Sequence, residues 1–355
     1  MLETALDTLN CPRCHSIEQL RLCNDILPLI EVPSGGEREL DEGTIKCAQC
    51  NSAFPIILGL PLMFGKHVDY VVQHKQEMIG VIARHAVSKA CTDYIFSAPE
   101  SIYGASTRQE SWESRPGLDV YVHNHYAQTR DDASVIRGDQ SFYDRILCEI
   151  KPLIRADNGL FLDVGCSVGG CLHRFSPYFK VVMGIEISFS AAILAHHILS
   201  GKTGGRVTYL HHTDAQKGRV ISFGIEERLN ASITLADAAA LPFRQSVLDF
   251  VLLSNVIDIS ATPGALIKEA VRVTKNGGFV CTISPYYWRP DRTHPSRWID
   301  APTYSSGESM KHFLAEFGLS TCHEVDGIPW VLRFYDRYFQ VWMCHMLVSR
   351  VQKPG

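Results

Sequence analysis

The chain has 355 residues, of which 46% are hydrophobic, and a formal net charge of −4. That length is long for one domain and suits two, with ample apolar material for a core. The mild acidity and the lack of a Lys/Arg-rich run remove the usual footprint of a nucleic-acid binder. No apolar run approaches the roughly 18 residues of a membrane span, and no basic-then-apolar leader opens the sequence. The expectation is a cytoplasmic protein with no membrane contact, no nucleic-acid partner and a small-molecule substrate. Oligomeric state is not readable.

In chain order, residues 1–66 come first and carry two C-x-x-C knuckles, "CPRC" (Cys11, Cys14) and "CAQC" (Cys47, Cys50), separated by 32 residues. Each knuckle aims two thiolates at one point, and two together complete a closed tetrahedral zinc site. A closed site has no open position for water, so its expected role is structural. Two unrelated pairs of buried thiols are the alternative. The other cysteines are spread through a chain without a secretory leader, which favours metal ligation or free thiols over disulfides.

Residues 67 to about 100 place apolar side chains at mixed three and four spacing and predict helix. Residues 97–118, rich in Ser, Gly, Pro and charge, predict a connector or lid. A helix is expected over 139–154. From Leu160 short apolar runs alternate with helical stretches: "LFLDVG", "VVMGIEI", "ASITLADA", "LDFVLLSN" and "GFVCTISP". Runs without polar alternation suit parallel strands covered on both faces. The prediction is an α/β fold with a doubly wound, Rossmann-like sheet. The tail, 319–351, reads as two strands without a helix between them, an antiparallel pair at one edge. The expected division is a ribbon over 1–66, a helical connector over 67–138 and a catalytic domain over 139–355.

"FLDVGCSVGG" is a strand entering a glycine turn and then a helix, where Gly165 and Gly169 allow close backbone approach to a ligand. Asp163 is expected to hold this loop, Cys166 to pack, with its backbone lining the ligand. Glu186 ends the second strand, where a carboxylate accepts from both ribose hydroxyls, and Ile187 follows it. Asp237 and Ala238 follow the third strand, where a carboxylate and backbone read an adenine edge. Helix capping is the bland alternative for Glu186 and Asp237.

This ordered series, with "DAAALPF" and "RVTKNGG", resembles the class I S-adenosylmethionine (SAM) methyltransferases from about Asp139 onward. The segment "LNCPRC…IKCAQCNSAFPIILGLP" resembles the small zinc-ribbon proteins that activate methyltransferases, with Phe54, Pro55, Ile56, Gly59 and Pro61 on the shared turn. It departs from them in the long insertion between knuckles. "VHNHYAQ", "SNVIDISATP", "SPYYWRPDRTHPSRWI" and "IPWVLRFYDRYFQ" resemble the methyltransferase half of ovothiol-synthesis enzymes. The SPYYW element is also similar to carnosine N-methyltransferases. What these resemblances imply is SAM as cofactor, structural Zn²⁺, and methyl transfer to a nitrogen of a histidine derivative. Here the sulfoxide-synthase half of the ovothiol enzymes is missing, and Phe334 and "HPSR" replace acidic positions of that pattern.

Methyl transfer from a sulfonium is an in-line displacement, so the protein chiefly aligns the reactants. A neutral imidazole is a competent nucleophile above its pKa of about 6.5, so the site must hold the right tautomer. Tyr286, Tyr126 and Asn255 are the expected catalytic side chains. Ser254 lines the cofactor; Ser284, Tyr287, Trp288, Arg297 and Arg333 are expected at the substrate, with Arg292 and Trp298 nearby. Core packing for Tyr287, Trp288 and Trp298 and surface ion pairs for the arginines stay open. His123 and His125 are expected to be structural. An RNA or protein methyltransferase whose ribbon docks the macromolecule is the competing reading.

Overall fold

The computed structural model describes residues 1, 3–16, 20–32, 39–99, 115–127, 140–154, 159–214, 217–225, 230–300 and 305–353. Most of the expected lid, 100–114, lies outside them. The N-terminal strands are β1 (Leu20–Cys23), β2 (Ile30–Val32), β3 (Glu39–Cys47), β4 (Ala53–Ile57) and β5 (Leu60–Pro61). They form one antiparallel sheet in the order β1-β3-β4-β5, with β2 also on β3. The long insertion between the knuckles therefore supplies β1, β2 and nearly all of β3. Leu58 and Gly59 both have positive φ, 52° and 82°, the backbone of the tight turn that joins β4 to β5.

The first part of the connector holds two helices, His67–Ile82 and Lys89–Ser97. A third, Arg115–Val122, runs into a π-helical turn at His123–Ala127, and Phe142–Ile150 forms a fourth. No described helix is long and apolar enough to cross a membrane.

Beyond residue 159 the strands are β6 (Leu160–Val164), β7 (Val181–Glu186), β8 (Arg206–His212), β9 (Gly218–Gly224), β10 (Ala231–Leu235), β11 (Leu248–Ser254), β12 (Thr274–Ser284), β13 (Leu319–Tyr335) and β14 (Tyr338–Val351). Seven form the main sheet, in the order β10-β7-β6-β11-β12-β14-β13. Its first five strands are parallel, while β14 enters antiparallel between β12 and β13. Both faces are buried, as the unbroken apolar runs require. Phe161, Phe250 and Leu252 pack toward Phe142, Phe175 and Phe189, whereas Leu162, Val251 and Leu253 pack toward Leu266, Met310 and Leu314. The hairpin β8–β9 stands apart as a two-stranded sheet. Tyr209 and Val207 pack it against Leu118 and Val122.

The N-terminal sheet is joined to the main one. Met63 N–H donates to the carbonyl of Leu235 on edge strand β10 (2.8 Å), and Leu62 bridges Leu235 in parallel. Asn10 N–H reaches Pro242 O at 3.0 Å and Arg244 N–H reaches Thr8 O at 3.0 Å, so the "LPF" segment is gripped from the same side.

Candidate active site

The loop after β6 folds over the carboxyl end of β7, with Gly165 and Cys166 N–H both donating to Ile185 O at 2.8 and 3.0 Å. That path requires positive φ at Gly165 (77°), Ser167 (50°) and Gly169 (86°). It also leaves no room for a side chain at Gly165, where a Cβ would sit 2.4 Å from Val256 Cγ1.

Glu186 anchors this loop from below. Its carboxylate accepts Ser167 N–H (2.8 Å) on one oxygen and Ile187 and Ser188 N–H (2.8 and 2.9 Å) on the other. A carboxylate has about four acceptor positions, so one remains for a ligand hydroxyl. Burial nonetheless raises its pKa, since three backbone donors offset only part of the desolvation. Ile187 beside it is 49% exposed. Asp237 is exposed and accepts Ala239 N–H at 2.8 Å, with Ala238 next to it half-buried. Ser254 is half-buried at the end of β11. The carboxyl ends of β6, β7, β10 and β11 thus carry Gly165, Cys166, Gly169, Glu186, Ile187, Asp237, Ala238 and Ser254 to one edge, where ligands of doubly wound sheets lie.

Asp163 lies inside β6 and is buried. Desolvation, with Glu186 adding repulsion, pushes its carboxyl up to about 8. Because the folded value exceeds the unfolded one, the stability this group contributes is full below about pH 4 and is lost as pH rises through about 8. Asp163→Asn should therefore melt increasingly above wild type as pH rises from about 5 to about 8, by several degrees at the upper end. A difference that stays constant with pH would show that Asp163 is not the titrating group.

His125 and Tyr126 brace the same loop from the π-turn. His125 Nδ1 accepts Gly170 N–H (3.0 Å), which puts its proton on Nε2, against the Tyr143 hydroxyl (2.5 Å). Burial, with Arg174 nearby, holds this imidazole well below its ordinary pKa. Tyr126 donates its hydroxyl proton to Val168 O at 2.7 Å. The Tyr126 hydroxyl proton is therefore spent on the loop backbone. His123 bonds Tyr209 through Nδ1 at 2.7 Å.

A pocket of about 650 Å³ opens beside the carboxyl ends of β11 and β12. Asn255, with φ 55°, and Tyr287 line it, together with Tyr121, Asp258, Arg292, Trp330 and Trp342. Asp258 is buried, accepts Tyr287 N–H at 2.9 Å, and has its pKa raised by that burial. Asn255 Oδ1 receives the Cys344 thiol at 3.5 Å, which leaves the amide N–H₂ for a ligand.

The aromatic run after β12 divides unexpectedly. Tyr286 has φ 56°, and this left-handed residue breaks the strand's alternation. Its hydroxyl meets His345 Nδ1 (2.7 Å), whose Nε2 meets Glu324 (2.9 Å), on the face covered by helix Ser306–Glu316. Tyr286 and Trp288 thereby join the core, and Tyr287, 59% exposed, takes the pocket. Ser284 is buried and holds Tyr286 N–H at 2.9 Å. Arg297 reaches Ala261 O, Trp298 donates to Thr293 O, and Arg333 pairs with Asp336 at 2.7 Å. None of these three lines the pocket.

The residues that sequence reasoning missed are Tyr121, Asp258 and the apolar side chains of the hairpin. Trp330, Leu332 and Phe334 alternate along β13 toward the pocket, which turns Arg333 the other way. Trp330 pairs with Trp342 across β14, ring centroids 4.9 Å apart. The period-2 pattern in "IPWVLRFY" carried that signal.

At the N-terminal end Cys11, Cys14, Cys47 and Cys50 converge, all four sulfurs within 4.8 Å of one another. Cys11–Cys50 and Cys14–Cys47 are 3.6 and 3.7 Å apart. Four thiolates around one tetrahedral zinc at about 2.3 Å would stand about 3.8 Å apart, so the donor set fits that ion.

Residues 162–282, about one third of the chain, match the methyltransferase domain family. No curated protein sequence matches. Among solved structures the chain is similar to a SAM-dependent methyltransferase from Aquifex aeolicus, at 16% identity and TM-score 0.39, over 59% of this chain and 89% of that one. It is also similar to a chain of the Haloferax volcanii complex between a methyltransferase activator and a methyltransferase, at 16% and 0.39, over 64% and 99%. A third is Haemonchus contortus phosphoethanolamine N-methyltransferase 2 with phosphomonomethylethanolamine and S-adenosylhomocysteine, at 10% and 0.46, over 69% and 60%. With the matched segment spanning the glycine loop, Glu186, Asp237 and strands β6 to β12, the chain carries a methyltransferase domain on an α/β, Rossmann-like sheet.

Proposed function

We propose that the acceptor is a small nitrogenous molecule, of which the imidazole of a histidine derivative is the best-fitting kind, and that the methyl goes to nitrogen. The observation that carries this is the pocket of about 650 Å³ walled by Tyr121, Tyr287, Trp330 and Trp342, with Asn255 and Asp258 at its polar end. Aromatic walls take up a flat heterocycle and stabilise developing positive charge, by roughly 0.5–2 kcal/mol per cation–π contact. The volume suits a small ligand.

SAM supplies an electrophilic methyl on a positively charged sulfur. In the transfer the nitrogen lone pair forms the N–CH₃ bond as the S–CH₃ bond breaks, and an N–H acceptor then loses its proton. The chain's share is alignment and exclusion of water. Asn255 N–H₂ and the buried Asp258 carboxyl are placed to fix the tautomer of an imidazole. The expected roles of Tyr126 and Tyr286 pass to Asn255 and Tyr287, because the two hydroxyls are engaged elsewhere. Arg292, on the pocket wall, is the arginine suited to a substrate carboxylate, through its paired donors. The four-cysteine site holds a structural Zn²⁺.

The test is a methyl-transfer screen with labelled SAM against histidine, thiol-histidines, carnosine, short peptides and RNA, with the product located by mass spectrometry. N-methylation of a small imidazole or amine is expected, and Trp342→Ala should raise its KM about tenfold or more while SAM affinity holds. Turnover confined to RNA or peptide would replace this reading with the macromolecular one.

A further inference from the structure

The helix His67–Ile82 belongs to no part of the sheet that carries the glycine loop, yet it is bound to the residues immediately following Glu186. Tyr70 donates its hydroxyl proton to Ile187 O at 2.7 Å. Two turns further on, Glu77 accepts Ser190 N–H at 2.8 Å, and its second oxygen meets His74 Nδ1 at 3.0 Å. Ser188 also lies within hydrogen-bond reach of Glu77, at 3.5 Å. The helix therefore fixes the backbone from 187 to 190 by contacts that do not involve the sheet.

Between this helix and the sheet edge lies a second pocket, of about 310 Å³, bordered by Phe64, Tyr70, Gln73, His74, Ile187 and Asp237. Phe64, Tyr70 and His74 form a continuous ring stack, with centroids 4.3 and 4.2 Å apart at 13° and 23°. Opposite stands the half-exposed Ile187 side chain, an apolar face. At the polar end, Asp237 binds Ala239 N–H through Oδ1 only, among the described residues. A flat, apolar-faced group with an amino donor on its edge satisfies all three walls. The position matches as well, since the pocket lies at the carboxyl ends of β7 and β10, one residue beyond Glu186.

We propose that Phe64, Tyr70, Gln73 and His74 form the outer wall of the adenine site, so that the N-terminal module and its helix complete the cofactor pocket of the methyltransferase domain. This rests on the SAM-dependent reading. The chain thereby supplies its own cover for the nucleoside end of the ligand, delivered by the segment that follows the second cysteine knuckle. Adenine recognition is then split between Asp237 from the sheet and Gln73 and Tyr70 from the helix.

The test uses the full chain and calorimetric binding of two ligands, SAM and 5′-methylthioadenosine, which keeps the adenosine and lacks the amino-acid end. Gln73→Trp places an indole in the pocket from an exposed position, and Tyr70→Phe removes the clamp on Ile187 while keeping the ring stack. Each should weaken both ligands by a common factor of about five or more, the value of one lost hydrogen bond or its steric equivalent. Val68→Trp, on the same helix at a 48% exposed position outside the pocket, should leave both affinities unchanged. Wild-type affinities in Gln73→Trp overturn the inference and leave the methyltransferase reading intact, as does methylthioadenosine failing to bind wild type. If wild type binds neither ligand, the SAM reading itself falls and takes this wall with it.

Discussion

Stripping the metal from the four-cysteine site should lower the melting temperature by about ten degrees or more and release about one zinc per chain. The module is small, and part of its interior is the ligand cage itself. Cys11 and Cys47 are buried among Leu20, Leu40, Ile45 and Phe54, in the same cluster as Leu162 and Val251 of the main sheet. Loss of the ion leaves converging thiols with nothing to hold them, and the knuckles open. The damage spreads through Met63 on Leu235 and Asn10 on Pro242 to edge strand β10. Stability and SAM affinity should fall together in one transition, followed by thermal melts and by metal release to a chromogenic chelator. An apo-protein that stays folded at the wild-type melting temperature and merely loses turnover would contradict a structural ion.

Gly165→Ala should weaken SAM binding by at least about tenfold and cost several degrees of stability. Two separate penalties act at this position. A φ of 77° strains any residue with a Cβ, by roughly 1–3 kcal/mol. The new methyl also lands 2.4 Å from Val256 Cγ1, a contact that must be relieved by moving the loop. The double variant Gly165→Ala with Val256→Ala removes the collision and keeps the strain, so it should recover part of the affinity. Full recovery would mean that the backbone conformation is unimportant. No effect in the single variant would remove the loop from the cofactor site. Calorimetry with SAM and melting curves read both quantities.

The main sheet was legible because its strands are fully buried: "LFLDV" and "FVLLS" admit no amphipathic alternative. The edge pair β13–β14 was legible for a related reason, as two long apolar-alternating runs with no room for a helix between them. The hairpin β8–β9 was not. "RVTYLHH" and "GRVISFG" mix apolar with polar residues and glycine, and their few buried residues pack against a helix rather than extend the sheet, so they stand outside the series of unbroken apolar runs.

At the glycine loop, the strand–turn–helix pattern was legible as such: Gly165 and Gly169 take the positive φ expected of the turn, and Glu186 ends the second strand of the series. The acceptor side depended on backbone detail that sequence does not encode locally. One left-handed residue, Tyr286, decides which of two adjacent tyrosines faces the pocket, and nothing in "SPYYW" marks the first for that conformation. Likewise Arg333 reads as a free cation until Asp336, three residues on, is seen to pair with it. The four cysteines were the easiest feature of all, because thiolate spacing is itself the geometry.

The long C-terminal hairpin has a consequence for how this molecule comes to work during synthesis. Strand β14 is zipped to β12 only through residues 345–350, while the arms carrying Trp330 and Trp342 reach beyond that zipper to wall the pocket of about 650 Å³. A ribosome emits the ribbon before the glycine loop and the glycine loop before this wall. A nascent or truncated chain ending before residue 319 thus has the glycine loop and one side of the pocket, with Tyr121, Asn255, Asp258 and Tyr287, but lacks the side that Trp330 and Trp342 supply. The glycine loop and the hairpin wall are also carried by separate segments of one polypeptide, so that drift in the hairpin can reshape the pocket without disturbing the loop.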